Sequence, residues 1–350
     1  MMQMKKNKLL AIDLFCGAGG LSVGLKKAGF RVLAGIEIDE AAAESYKMNH
    51  RKHILYREDI KKIDPRQVLS DLNIKPGELD LLAGCPPCQG FSTLRTRNKR
   101  ASVRDKRNNL VYEFVRFAEV IRPKTLMIEN VPGLAKNSRI EEVKKRLERI
   151  GYLFNEDSIS VKDVSDYGVP QRRKRMILIA SRLGFIDHPK IVKNKKTVFD
   201  VLGSLVAPGQ SGDRLHDYPE NRTEHVMSLI KLIPKNGGSR SDLPREYWLP
   251  CHIRYPGGYK DVYGRMSWDN VSPTITGGCT NPSKGRFLHP EQDRAITLRE
   301  AALLQTFPPK YKFSLAKGKD GASLMIGNAL PPEFIRHHAN AVKKHLHSIE

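Results

Sequence analysis

The sequence predicts an α/β fold: a doubly wound, mostly parallel sheet, with a second, smaller irregular domain attached. Two observations carry this expectation. Short apolar runs alternate with helix-periodic segments from Leu9 to Arg182, the pattern of a sheet whose strands are buried on both faces. After Arg182 the character changes, and residues 184 to about 290 hold both tryptophans (Trp248, Trp268), are rich in Gly, Pro and Tyr, and lack long helical periodicity.

The elements follow in order. Leu9 to Leu14 is a first strand, the glycines after it make a turn, and Leu21 to Ala28 is helix-periodic. Val32 to Ile38 is a second strand with acids at Glu37 and Asp39, and Glu40 to Met48 a second helix. Further strands are expected at Ile54-Leu55-Tyr56, Leu79 to Ala83, Leu126 to Ile128 and Met176 to Ala180, with helices at Leu110 to Val120 and Ile140 to Ile150 between them. Helical pattern returns at Thr297 to Gln305 and Pro332 to His345. The domain boundaries expected from this are 1–183 plus about 321–350 for the first domain and about 184–320 for the second.

At 350 residues the chain is long enough to bury a sizeable core. No apolar run approaches the about 20 residues of a membrane helix, so no membrane partner is expected. The basic amino terminus makes a poor signal peptide, because Asp13 and the glycines interrupt its apolar stretch. The expected location is cytoplasmic. The balance of 60 basic against 38 acidic residues gives +22 and a pI of about 9.8, which points to a polyanionic partner such as nucleic acid. Clustering supports this: Arg95, Arg97, Lys99, Arg100, Arg104, Lys106 and Arg107 face one acid, Asp105, in a stretch with few apolar anchors, as expected of a loop over phosphates. The second domain is also basic.

Five scattered cysteines exclude a disulfide framework and fit a reducing compartment. Cys85-x-x-Cys88 has the spacing of a redox pair or half a zinc site, but no second pair of ligands lies nearby, so no metal is expected. Gly84-Cys85-Pro86-Pro87-Cys88-Gln89-Gly90-Phe91-Ser92 instead puts a thiol on a proline-stiffened turn directly after a strand. Glu129-Asn130-Val131 follows another apolar run, and Gln171-Arg172-Arg173-Lys174-Arg175 opens a third. A thiol, a carboxyl and two guanidiniums are thus expected at one strand edge, where open α/β sheets bind ligands.

Pro87-Cys88-Gln89, Glu129-Asn130-Val131 and Gln171-x-Arg173-x-Arg175 resemble the central motifs of the DNA cytosine-5 methyltransferases, in the family's order. Asp13-Leu14-Phe15-Cys16-Gly17-Ala18-Gly19-Gly20 and Gly327-Asn328-Ala329-Leu330-Pro331 resemble its first and last motifs, so the likeness runs through most of the chain. It implies a Rossmann-like methyltransferase fold with a target-recognition domain, and a last helix that packs back on the first domain. It also implies methyl transfer from S-adenosylmethionine, leaving S-adenosylhomocysteine, to C5 of a flipped-out cytosine in a specific double-stranded DNA sequence.

In that scheme Cys88 attacks C6, Glu129 bonds or protonates N3 and Arg175 donates to O2. Arg173 shares this task, binds phosphate or forms a structural ion pair. The base that takes the C5 proton is not legible. Glu37, at a strand end, suits ribose hydroxyls, and the Phe15-x-Gly17-x-Gly19 turn departs from the dinucleotide pattern because Ser22 stands where its last glycine would. The resemblance adds Phe15, Gly20, Leu21, Ile38, Asp59, Ile60, Pro86, Leu110, Asn328 and Ala329 to the cofactor site, although Glu58 precedes Asp59 where the family has glycine. DNA contacts are expected from Gln89, Ser92, Arg95, Arg97 and Arg104. In the second domain, Thr274 and Thr276 resemble a recognition segment, and Arg240, Arg254, Arg265 and Arg286 are candidates for guanine edges. A cognate restriction endonuclease or defence system is the expected protein partner, and the chain is expected to act as a monomer. The rivals are a tRNA cytosine-5 methyltransferase of the same family and an inactive DNA-binding relative.

Overall fold

The computed structural model describes residues 8–87, 109–254 and 261–349. Cys88, Gln89, Ser92, Arg95, Arg97 and Arg104, all expected in the site, lie outside them. The chain divides into two compact units, the first Met1–Tyr167, Lys174–Ile191 and Leu330–Glu350, the second Gly168–Arg173 and Val192–Ala329.

The first unit is built on a seven-stranded sheet: β1 (Leu10–Leu14), β2 (Arg31–Ile36), β3 (Ile54–Tyr56), β4 (Leu81–Gly84), β5 (Thr125–Asn130), β6 (Ile159–Asp163) and β7 (Lys174–Ser181), in spatial order β3-β2-β1-β4-β5-β7-β6. β1 to β5 are parallel, and β7 runs antiparallel to both β5 and β6. The chain winds outward from β1 to β3, returns to place β4 on the other side of β1, and winds outward again. The reversal between β1 and β4 is the switch point at which open sheets of this kind hold ligands. β4 and β5 are buried throughout because helices cover both faces, which is why they read as unbroken apolar runs.

The helices are α1 (Gly20–Lys27), α2 (Glu40–Asn49), α3 (Pro65–Leu72), α4 (Leu110–Ile121) and α5 (Ser138–Arg149). Asp39 caps α2 by accepting from the Ala42 amide, and Asp64 with Pro65 starts α3. Val111, Phe114, Val115, Ala118 and Ile121 recur at helical spacing along α4 and pack with Ile140, Val143 and Leu147 of α5 into the main core. The long helix that closes the chain (Pro332–Ile349) lies on α1 within this unit.

The second unit contains α6 (Phe199–Leu202), α7 (Glu224–Leu232), α8 (Pro250–Arg254), α9 (Leu298–Leu304) and α10 (Gly318–Asn328), and the closing helix of the first unit is α11. Its small core gathers Leu229, Ile230, Ile233, Leu243, Tyr263 and Leu288. This unit takes in two stretches that the sequence reading gives to the first domain, 168–173 and 321–329. The reason is packing: α10 lies on α9, and Arg173 donates to the carbonyls of Ile275 (2.8 Å) and Gly327 (3.0 Å).

Candidate active site

In the first unit Glu129 sits near the end of β5, and β7 brings Arg175 alongside it. Arg175 Nε meets Glu129 Oε1 at 2.9 Å, with both side chains largely buried. Beside them β4 runs out into Cys85-Pro86-Pro87, the turn that leads directly to Cys88. Asn130 fixes this turn to β5: its Nδ2 donates to the Pro86 carbonyl (2.9 Å) while its Oδ1 accepts from the Val131 amide (2.8 Å). The positioning role of Asn130 has no signal in the sequence beyond its place after Glu129.

Burial, with the negative charge of Glu129 next, pushes the Cys85 thiol well above the ordinary range, so it stays protonated at neutral pH. A protonated thiol is a poor nucleophile. Burial therefore leaves Cys85 an unreactive thiol.

The second cluster lies where β1 and β2 end. Phe15 and Gly17 both have positive φ (61° and 53°), and a side chain added at Gly17 would meet nothing within 4 Å, so the turn presents a bare backbone face to open space. Glu37 accepts from the Gly17 amide (2.8 Å) through one oxygen and from the Asp39 amide (2.7 Å) through the other. Burial raises its pKa, and those amides counter the rise. The next residue, Ile38, is 66% exposed, an apolar surface in want of a cover. Asp59 caps a short turn by accepting from the Lys61 amide, with buried Ile60 after it. Leu110 opens α4, and Gly20 and Leu21 open α1. The remaining lone pairs of Glu37, the exposed Ile38 and the open Gly17 turn suit a nucleoside: hydroxyls on the acid, an apolar base on Ile38.

Behind this turn a polar chain that sequence reading missed runs through the core. Ser22 Oγ donates to Asp13 Oδ2 (2.7 Å) and meets Tyr46 Oη (2.9 Å), which meets His53 Nδ1 (2.8 Å). Asp13 is fully buried and its Oδ1 has no partner among the described residues. Burial raises its pKa to about 7.

In the second unit the arginine assignments need correction. Arg265 is completely buried and donates to the carbonyls of Ile230, Ile233, His289 and Gln292 and to Asp293. Every donor is spent on its own unit, so none is left for a base edge. Arg286 is held by Asp261 and by the carbonyls of Gly237, Gly238 and Arg265. Arg240 is buried over the Trp248 ring at 5.3 Å. Arg254 alone of the four is exposed. Arg173 is buried as well and donates to two carbonyls of its unit, which gives it a structural task in holding the Ile275 and Gly327 backbone. Thr274 and Thr276 are half-buried, with Thr274 Oγ1 donating to the Arg172 carbonyl (2.7 Å). Asn328 is exposed and Ala329 half-buried at the end of α10.

The pattern of the C-5 cytosine-specific DNA methylases matches residues 9–344. The chain belongs to that family. It is a DNA cytosine-5 methyltransferase. The Type II methylase M.HgiDII of Herpetosiphon aurantiacus is 37% identical, covering 97% of this chain and 96% of its own length. The Type II methyltransferase M1.HphI of Haemophilus parahaemolyticus is 33% identical, with 96% and 87% covered. Among solved structures, a putative DNA modification methyltransferase encoded within an E. coli prophage superposes with a TM-score of 0.70 at 25% identity, covering 97% of this chain and all of that one. No helix among the described residues of this methyltransferase is long and apolar enough to cross a membrane.

Proposed function

We propose that this methyltransferase acts on a flipped-out cytosine within a specific duplex sequence, through a covalent bond from Cys88 to C6. The observation that carries the reading is the Glu129–Arg175 pair at 2.9 Å, beside the Asn130-anchored turn that delivers Cys88. Cytosine C5 is a weak nucleophile. Attack by a thiolate at C6 breaks the C5–C6 double bond and pushes charge toward N3 and O2, and stabilising charge where it develops is commonly a large catalytic term. Glu129 delivers or shares a proton at N3, and Arg175 holds Glu129 in place while donating to O2. Once C5 carries the methyl group, loss of its proton expels Cys88, the N3 proton returns to Glu129 and the ring is restored. Water is a sufficient acceptor for that proton. Because C5 and C6 lie inside the stack, the base must leave the duplex, which costs a few kcal/mol that contacts from the basic stretch Arg95 to Arg107 offset.

S-adenosylmethionine supplies the methyl group when bound. Glu37 accepts the ribose hydroxyls, Ile38, Phe15 and Leu110 wall the adenine, and Asp59 meets its edge. The bare backbone of Gly17, Gly19 and Gly20, with Leu21, Ile60 and Pro86, lines the remainder, and Asn328 and Ala329 are carried over from the family motif. Residues 168–173 and 192–329 choose the sequence. The Type II names of the similar proteins favour duplex DNA over tRNA, a cytoplasmic setting and a partnership with a restriction endonuclease.

Labelled S-adenosylmethionine offered with duplex DNA and, separately, tRNA separates the two substrates. A duplex carrying 5-fluorocytosine, which cannot lose a C5 proton, should crosslink to the parent protein and not to Cys88→Ala. A crosslink that survives in Cys88→Ala would overturn the mechanism.

A further inference from the structure

Within the second unit, a set of buried amides connects segments more than a hundred residues apart. Gln171 and Gln305 are both fully buried. Gln171 Oε1 accepts from the Ile275 amide (3.0 Å), and its Nε2 donates to Gln305 Oε1 (2.9 Å). Gln305 Nε2 in turn donates to the carbonyls of Ile326 (2.7 Å) and Ala329 (3.3 Å) at the end of α10. Arg173 closes the loop from the other side, bonding the Ile275 and Gly327 carbonyls. Between these anchors the backbones touch: a Cβ on Gly327 would stand 2.1 Å from the Thr276 carbonyl carbon and 2.3 Å from the Gly277 nitrogen. Thr274 and Thr276 therefore flank a residue, Ile275, whose amide and carbonyl are both gripped by buried side chains.

We infer that Gln305 is a specificity-positioning residue: acting through Gln171 and the end of α10, it fixes the Thr274–Thr276 segment in the register from which that segment reads DNA. Gln305 touches no DNA itself in this scheme. It holds one end of a rigid bracket, and a buried amide is suited to this because each of its polar atoms has one geometry in which it is satisfied. A side chain that is merely apolar and of similar size would fill the space without fixing the register. The inference rests on the reading that Thr274 and Thr276 contact the duplex.

The test is methylation sequencing of DNA from an expressing host that lacks its own 5-methylcytosine, comparing sites of the preferred sequence with sites that differ at one base pair. Q305M and Q171M keep side-chain volume and remove the amide chain at either end. Each should lower discrimination against single mismatches about tenfold while the rate at preferred sites is kept, because mispositioned contacts lose selectivity of that order. The double variant should lose no more than the worse single, since both cut one chain. Thermal melting of each variant identifies any that fails to fold; should Q305M do so, Q171M decides by the same readout. Parental discrimination in the folded variants, with T274A or T276A relaxed, would overturn the positioning role and leave the recognition reading intact. Parental discrimination in T274A and T276A would remove the recognition reading and the inference with it.

Discussion

At the scale of single residues, the site is a set of charges whose settings follow from burial. Glu129 lies against Arg175, and this pairing fixes the direction in which its carboxyl points. Glu129→Gln keeps shape and a hydrogen bond but cannot deliver a proton to N3. Single-turnover methyl transfer should fall by about 10²–10⁴-fold, the range of general acid catalysis, with cofactor affinity near the parental value. Lost cofactor binding with near-parental chemistry would move Glu129 to the cofactor site. Asp13 gives a pH prediction. Folded, burial lets it keep its proton up to about pH 7, whereas its ordinary value is 3.8. Between those values folding takes up a proton, so this residue's contribution to stability falls as pH rises and is fully lost above the folded value. Asn cannot titrate. In urea titrations the stability of Asp13→Asn relative to the parent should therefore rise by about a few kcal/mol from pH 4 to pH 7 and then level off. A difference that stays flat across that window would show that the carboxyl ionises normally.

At the scale of elements, α10 shows why part of the fold is hidden in the sequence. Its glycines Gly318, Gly321 and Gly327 argue against a helix by propensity, and the Gly327-Asn328 pair reads as a turn. The helix exists because α9 and the 275–277 backbone pack on it, and the same packing forbids a side chain at Gly327. Gly327→Ala should cost about 1–3 kcal/mol, since backbone must move to admit the methyl, and chemical denaturation would register it. Parental stability would mean that the 276–277 backbone yields freely. The parallel core was legible, because strands buried on both faces leave apolar runs and Asp or Thr caps mark helix starts. β6 was missed: Ile159-Ser160-Val161-Lys162-Asp163 is a half-exposed edge strand that alternates instead of running apolar. α3 was missed although Asp64-Pro65 signals its start. The reversed direction of β7 leaves no local trace, since an apolar run reads alike either way. At the candidate site, the convergence of Glu129 and Arg175 was legible from their places beside apolar runs. The fate of Arg265 was not, because most of its partners, the carbonyls of Ile230, Ile233, His289 and Gln292, are backbone atoms that no pattern of side chains announces.

At the scale of the whole molecule, a net charge of +22 attracts any duplex alike, so sequence choice must come from a small number of directed contacts laid over a large unselective attraction. The burial of Arg240 and Arg265, and the tethering of Arg286 to Asp261 and three carbonyls, narrow those contacts. They leave Arg254 as the one exposed arginine of the four, alongside Thr274 and Thr276. In the proposed mode of action the basic stretch Arg95 to Arg107 falls on the unselective side of this division. Replacing Arg254 by Ala should cost about 1–3 kcal/mol at one base pair and relax preference there alone. Replacing Arg95 or Arg97 should weaken binding to all sequences equally and flatten the dependence of log K on log salt by about 0.9 for each phosphate no longer neutralised. Binding across a salt series, paired with sequencing of methylated sites, separates the two classes. If Arg254→Ala kept the parental preference and the Arg95 and Arg97 variants shifted it, the stretch after Cys88 would be the reader of bases, and the second unit would serve only to hold the duplex.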